Sequence, residues 1–192
     1  MEICKLEHVR KDYRMGELVS PLKDVNLTVE SGEFITVEGP SGIGKSTLVL
    51  QTVLALKDKR ILYVSGEESA RQIKLRAERL APDEASAENG GMLVFTETSL
   101  EQIFLQIQET QPDLVVIDSI QTISTETVES SPGSLSQIRE CAASLLRYAK
   151  SGGVSILLIG HITKPELGCM LITRDGGEME LKAQGWQALT DK

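Results

Sequence analysis

Two short stretches near the start, Ile3 to His8 and Val25 to Val29, alternate apolar and polar side chains. That is the period of half-buried antiparallel strands. Ser31-Gly32 then turns the chain into the apolar run Phe34–Val37, and from there the rhythm changes. Four more apolar runs follow, Ile61–Val64, Met92–Phe95, Leu114–Ile117 and Val154–Ile159. Between the runs lie stretches of helical period, roughly Lys45–Leu56, Glu68–Leu80, Leu100–Glu109 and Leu135–Lys150. Strands joined by single helices predict a mostly parallel sheet with helices on both faces, an α/β three-layer architecture. Thr98 and Glu101 have the spacing of a capping box, and Ser151-Gly152-Gly153 closes the long helix. Pro82 to Gly91, acidic and rich in small residues, reads as a surface loop. The tail returns to β, with Met170–Thr173 and Met179–Leu181 flanking the hairpin signal Asp175-Gly176-Gly177. Neither an internal repeat nor a linker interrupts this pattern, so residues 1–192 are expected to form one domain.

The strongest chemical signal sits between the first buried run and the first helix. Gly39-Pro40-Ser41-Gly42-Ile43-Gly44-Lys45-Ser46 fits the phosphate-loop pattern G-x-x-x-x-G-K-[ST]. The glycines let backbone N–H groups turn inward around an anionic phosphate, and the helix behind aims its positive end at the same place. Lys45 would neutralise the β- and γ-phosphates of ATP, and the Ser46 hydroxyl would ligate Mg²⁺. Residues 39–46 and Thr47 behind them are the expected nucleotide-binding residues.

Two other strand ends carry matching groups. Leu114-Val115-Val116-Ile117-Asp118 is a buried strand ending in an acid, which would bring Asp118 to the carboxyl edge of the sheet, where α/β folds bind ligands. There it can hold Mg²⁺, directly or through water. Hydrolysis also needs a group to orient and deprotonate water. Ser119 follows Asp118, so the candidate is Glu67, after Tyr63-Val64-Ser65-Gly66, where Gly66 permits a tight exit. Glu68 is the rival, although a first-turn position suits it to the helix dipole, and capping would account for either glutamate. His161, at the end of Ile156-Leu157-Leu158-Ile159-Gly160, could read the γ-phosphate or serve as a structural strand-end histidine.

Composition narrows the rest. The net charge of −8 tilts against a dedicated DNA or membrane-surface binder. Cys4, Cys141 and Cys169 are far apart, which fits reduced thiols rather than a zinc site or a disulfide framework. The N-terminus lacks the apolar stretch of a signal peptide, and no apolar run approaches the roughly 20 residues that span a bilayer. A soluble, cytoplasmic protein without membrane insertion is expected.

From Ile43 to Lys164 the chain resembles the RecA-type ATPase core of the bacterial RadA (Sms) DNA-repair family. The matching pieces are Ile43-Gly-Lys-Ser-Thr-Leu, Leu62-Tyr-Val-Ser-Gly-Glu-Glu-Ser, Gln72-Ile-Lys-Leu-Arg-Ala-Glu-Arg-Leu, Asp113-Leu-Val-Val-Ile-Asp-Ser-Ile-Gln-Thr, Pro132-Gly-Ser-Leu-Ser-Gln-Ile-Arg-Glu-Cys-Ala-Ala and Gly160-His-Ile-Thr-Lys164. The resemblance implies a RecA-like fold, Glu67 as catalytic glutamate, Asp118 as magnesium aspartate and His161 as γ-phosphate sensor. The flanks, 1–42 and 165–192, resemble an ABC-transporter ATP-binding subunit instead. This rests on Leu6-Glu-His-Val-Arg-Lys-Asp-Tyr13, Leu22-Lys-Asp-Val-Asn-Leu-Thr-Val29, Gly32-Glu-Phe-Ile and the tail Ile172-Thr-Arg-Asp-Gly-Gly-Glu-Met-Glu-Leu181. That second resemblance implies adenine stacking by Tyr13, whose alternative is a partly buried strand-end tyrosine, and it suggests a chimera with junctions near Gly42 and Lys164. The ABC signature Leu-Ser-Gly-Gly-Gln is absent, as are the RadA zinc ribbon and Lys-Asn-Arg-Phe-Gly segment.

The expectation is therefore a Mg²⁺-dependent ATPase domain with ATP and ADP as ligands. Two rivals stand beside it: a nucleotide-binding scaffold whose hydrolysis needs a neighbour in a homo-oligomer, and a DNA-stimulated repair ATPase. The stretch Gln121 to Ser136, where RecA-type proteins meet single-stranded DNA, holds Glu126 and Glu129 and no Lys or Arg, which favours a solvated loop.

Overall fold

The computed structural model describes residues 1–15, 17–39, 42, 44–80, 91–152, 154–161 and 171–174, with the backbone alone at 11–15, 17–25 and 171–174. The hairpin signal at 175–177, the strand expected at Met179–Leu181 and Lys164 lie outside the described residues, as does the expected surface loop apart from Gly91.

The alternating segments at the start pair with each other. Strands β1 (Glu2–Met15) and β2 (Glu17–Glu30) form a separate antiparallel hairpin with several register shifts. Both strands run well beyond the short alternating segments, because cross-strand pairing resumes after each register shift, from Glu2↔Glu30 to Met15↔Glu17, even where the apolar period lapses. At the open end Ile3, Cys4, Leu27 and Val29 are buried, and Leu6 and Val9 pack partly buried against the same core.

The later apolar runs build the main sheet. Its strands are β3 (Phe34–Gly39), β4 (Ile61–Ser65), β5 (Met92–Thr96), β6 (Leu114–Asp118), β7 (Ser155–His161) and β8 (Leu171–Arg174), in the order β5-β4-β6-β7-β3-β8. The first five are parallel, and β8 joins β3 antiparallel. The helices between them are α1 (Lys45–Leu54), α2 (Ala70–Leu80), α3 (Leu100–Thr110) and α4 (Leu135–Gly152). All residues of β4 and β6 are buried, as expected where helices cover both faces.

Strand period divides the core in two. Ile35, Val37, Ile61, Tyr63, Leu114, Val116, Leu157 and Ile159 pack with α1, α2 and the hairpin. Phe34, Leu62, Val64, Val115, Ile117, Ile156 and Leu158 pack with α3 and α4. Cys4 and Cys141 are free and buried, and burial pushes both thiols up to about 11. No helix among the described residues is long and apolar enough to cross a membrane.

Candidate functional site

Because β3, β4, β6 and β7 are parallel, their carboxyl ends share one edge. Gly39 lies opposite His161, and Asp118 lies opposite Ser65 and Ile159. The chain leaving β3 passes through Gly42 and Gly44 with φ of 81° and 87°, a left-handed backbone that side chains resist, and enters α1 at Lys45. Pro40, Ser41 and Ile43 of the phosphate loop lie outside the described residues, and for Tyr13 only the backbone, within β1, is described. Thr47 follows in the first turn of α1.

Lys45 is 3% exposed, and its Nζ donates to the carbonyl of Gly39 at 2.7 Å. Burial draws its ammonium below the usual lysine range, against the pull of Asp118 and Glu67. Ser46 Oγ donates to Asp118 Oδ1 at 3.0 Å. The other carboxylate oxygen, Oδ2, accepts from Tyr63 Oη at 2.6 Å. Burial first, and the neighbouring Asp118 second, hold the Tyr63 phenol far above its ordinary value, so it stays a donor. Arg76 on α2 lies behind the pair, with Nη2 3.8 Å from Asp118 Oδ2 and 2.9 Å from Glu68 Oε2.

Glu67 stands at the same edge. Its Oε1 accepts from Ser119 Oγ at 2.7 Å and lies 3.7 Å from His161 Nε2. Gln121, in the 3-10 turn Ile120–Thr122, donates to the His161 carbonyl at 3.2 Å. The structure thus brings Lys45, Ser46, Asp118, Glu67 and His161 onto one edge.

Two local expectations are corrected. Glu68 precedes α2 instead of occupying its first turn, and it pairs with Arg76 eight residues on, because a guanidinium offers more than a weak helix-end field. The cap of α3 is Ser99, which accepts from Gln102 N, while Glu101 binds the Thr125 hydroxyl at 2.6 Å. Gly66, expected to permit a tight exit, leaves β4 where Thr122 and Thr98 allow no room for a side chain.

Tyr63, Arg76 and Ser119 are site residues that the pattern did not single out. Tyr63 had a faint signal, a polar-tipped aromatic inside an otherwise aliphatic strand.

The donor chemistry fits a magnesium ion bound with substrate. A serine hydroxyl and a carboxylate are hard oxygen ligands of the kind Mg²⁺ takes, and here they stand side by side, 3.0 Å apart. Among the described residues no group of three His, Cys, Asp or Glu could hold a metal, so phosphate oxygens and water would complete the shell.

Comparison with known proteins gives the family. The AAA domain family matches residues 5–166. DNA repair protein RadA of Listeria monocytogenes is 49% identical over 138 residues, which are 71% of this chain and 29% of that protein. RadA of Halalkalibacterium halodurans is 47% identical over 170 residues, covering 84% of this chain and 36% of its own length. RadA of Escherichia coli is 50% identical over 137 residues, 71% of this chain and 29% of its own. The chain spans about a third of these curated relatives. A solved structure of a DnaB-like replicative helicase and its interactions with primase aligns with a TM-score of 0.58 at 15% identity, over 70% of this chain and 40% of that one, a likeness of fold. The family match runs across Gly42 and lends no support to an ABC-type flank or a chimeric junction there.

Proposed function

The chain belongs to the AAA domain family, and on that premise we propose that it binds ATP with Mg²⁺ and hydrolyses the γ-phosphate. The observation that carries this reading is the meeting of Lys45, the Ser46–Asp118 pair and the Glu67–Ser119 pair at one sheet edge, beyond a loop with two left-handed glycines.

Each residue has a task on this reading. Loop amides and the N-terminus of α1 receive phosphate oxygens. Lys45, resting on the Gly39 carbonyl, moves its ammonium onto the β- and γ-phosphates. Ser46 and Asp118 hold Mg²⁺, which when bound neutralises charge developing on the phosphates. Glu67 orients a water and takes its proton, and His161, 3.7 Å from that carboxylate, faces the γ-phosphate.

Calorimetry tests the binding half. ATP is expected to bind in Mg²⁺ and far more weakly in EDTA, with binding lost in Lys45→Ala. Phosphate release tests the chemistry: Glu67→Gln should keep ATP affinity and lower turnover by roughly 10²–10⁴-fold, the usual contribution of a positioned base. Equal turnover in that variant removes Glu67 as the base. ATP binding without measurable release in the wild type gives the second reading, a nucleotide-binding scaffold that needs a neighbouring subunit for turnover. The relatives' name, DNA repair protein, supports DNA as a partner of those longer proteins.

A further inference from the structure

We propose that Tyr63 is a positioning residue for the metal site, fixing the Asp118 carboxylate so that Oδ1 is presented to the ion. This rests on the reading of Asp118 as the magnesium carboxylate.

The hydroxyl is hard to explain otherwise. Tyr63 is 0% exposed, in β4, an interior strand of the main sheet, and belongs to the same core cluster as Ile61, Leu114 and Val116. A phenylalanine would fill the same space. A buried hydroxyl brings a desolvation cost that only a good partner offsets. That partner is Asp118 Oδ2 at 2.6 Å, across the neighbouring strand. Arg76 Nη2 approaches the same hydroxyl at 3.5 Å. A guanidinium on the acceptor side of a hydroxyl strengthens its donation on the other side, as in any polarised hydrogen-bond chain.

The consequence for Asp118 is geometric. With Oδ2 bound to Tyr63 and Oδ1 bound to Ser46, the carboxylate cannot rotate about its Cβ–Cγ bond without losing both contacts. Oδ1 stays turned to the residue that follows Lys45, where the ion would sit. Groups that orient a metal ligand in this way commonly change metal affinity by 10–100-fold when removed.

The test is a thermodynamic cycle read by binding. A fluorescent ATP analogue is titrated into wild type, Tyr63→Phe, Asp118→Asn and the double variant, over a range of free Mg²⁺ and in EDTA. Tyr63→Phe should raise the Mg²⁺ concentration for half-maximal tight binding by about tenfold and leave affinity in EDTA unchanged. In the Asp118→Asn background it should add no further shift. An unchanged Mg²⁺ requirement, the same shift in both backgrounds, or an equal loss in EDTA overturns the proposal. A wild type with no Mg²⁺ dependence instead sinks the underlying metal reading.

A second measurement needs no variant at position 63. In protein labelled with fluorotyrosine, with resonances assigned through Tyr13→Phe and Tyr148→Phe, adding Mg²⁺ to the nucleotide complex should move the Tyr63 signal. Tyr148, stacked on Phe104 at 4.7 Å, should not move. A stationary Tyr63 signal overturns the proposal.

Discussion

A methyl group at residue 66 would meet Thr122 Cβ at 2.6 Å and Thr98 Cγ2 at 2.9 Å, closer than real contacts allow. Thr122 cannot retreat easily, since its Oγ1 is bonded to the Ser119 carbonyl. Gly66→Ala should therefore lower stability by about 1–3 kcal/mol, the range for overpacking. It should also displace Glu67, the next residue, from Ser119. Thermal unfolding with phosphate release checks this: turnover should fall more than nucleotide affinity, and an unchanged melting midpoint would show that the cavity relaxes freely. The sequence pattern made Gly66 visible as a tight strand exit but did not name what crowds it, because steric neighbours from residues 98 and 122 leave no mark near residue 66. The same limit applies to Arg76 and Ser119. Lys45, Ser46 and Asp118 were legible because their chemistry comes with a local frame of glycines or a buried strand. Arg76 was not, since an arginine on an amphipathic helix looks alike whether it faces water or, as here, Glu68 and Asp118.

At the scale of elements, α4 begins by locking the loop before it. Gln137 is 2% exposed, and its Nε2 donates to the carbonyls of Thr125, Val128 and Ser130 at 2.9–3.1 Å while Oε1 accepts from Thr125 N. Gln137→Leu keeps the volume and strands those groups without partners. A loss of about 3 kcal/mol is expected, since each buried group left unsatisfied costs about 1–3 kcal/mol and water recovers some of them. Hydrogen exchange at Thr125 N and proteolysis within 126–132 report it; unaltered protection would mean that the loop is held elsewhere. Among the described residues, periodicity located the four α-helices and the parallel strands of the main sheet to within a few residues, because a strand buried on both faces and a helix with one wet face differ in period. It underestimated the terminal hairpin, whose length comes from cross-strand bonding. It also took Thr98 for Ser99 at the α3 cap, where adjacent hydroxyls compete and Thr125 draws Glu101 away.

The order of strands belongs to the whole molecule, and alternation alone does not give it. Placing β7 between β3 and β6 brings His161 between the phosphate loop and Asp118, and its pairing with β3 joins residues more than a hundred positions apart. The same view decides what to expect with DNA. Single-stranded nucleic acid binds where cationic grooves follow the backbone and aromatic rings stack on bases. Here the net charge is −8, and residues 121–136 contain no lysine, arginine or aromatic ring. Glu126 and Glu129 are exposed on that stretch, and Gln137 holds its backbone in place. Bringing a strand to this surface would set phosphates against carboxylates, with no lysine or arginine to displace the counterions condensed on the DNA. Phosphate release by this chain should therefore not rise when single-stranded DNA is added at low salt. Stimulation that fades steeply as salt increases would place a cationic path outside residues 121–136 and overturn the expectation. The informative control is a full-length RadA, of which the matched span is 29% in the Listeria protein. Stimulation there and none here would assign the DNA response to the remainder of that longer chain.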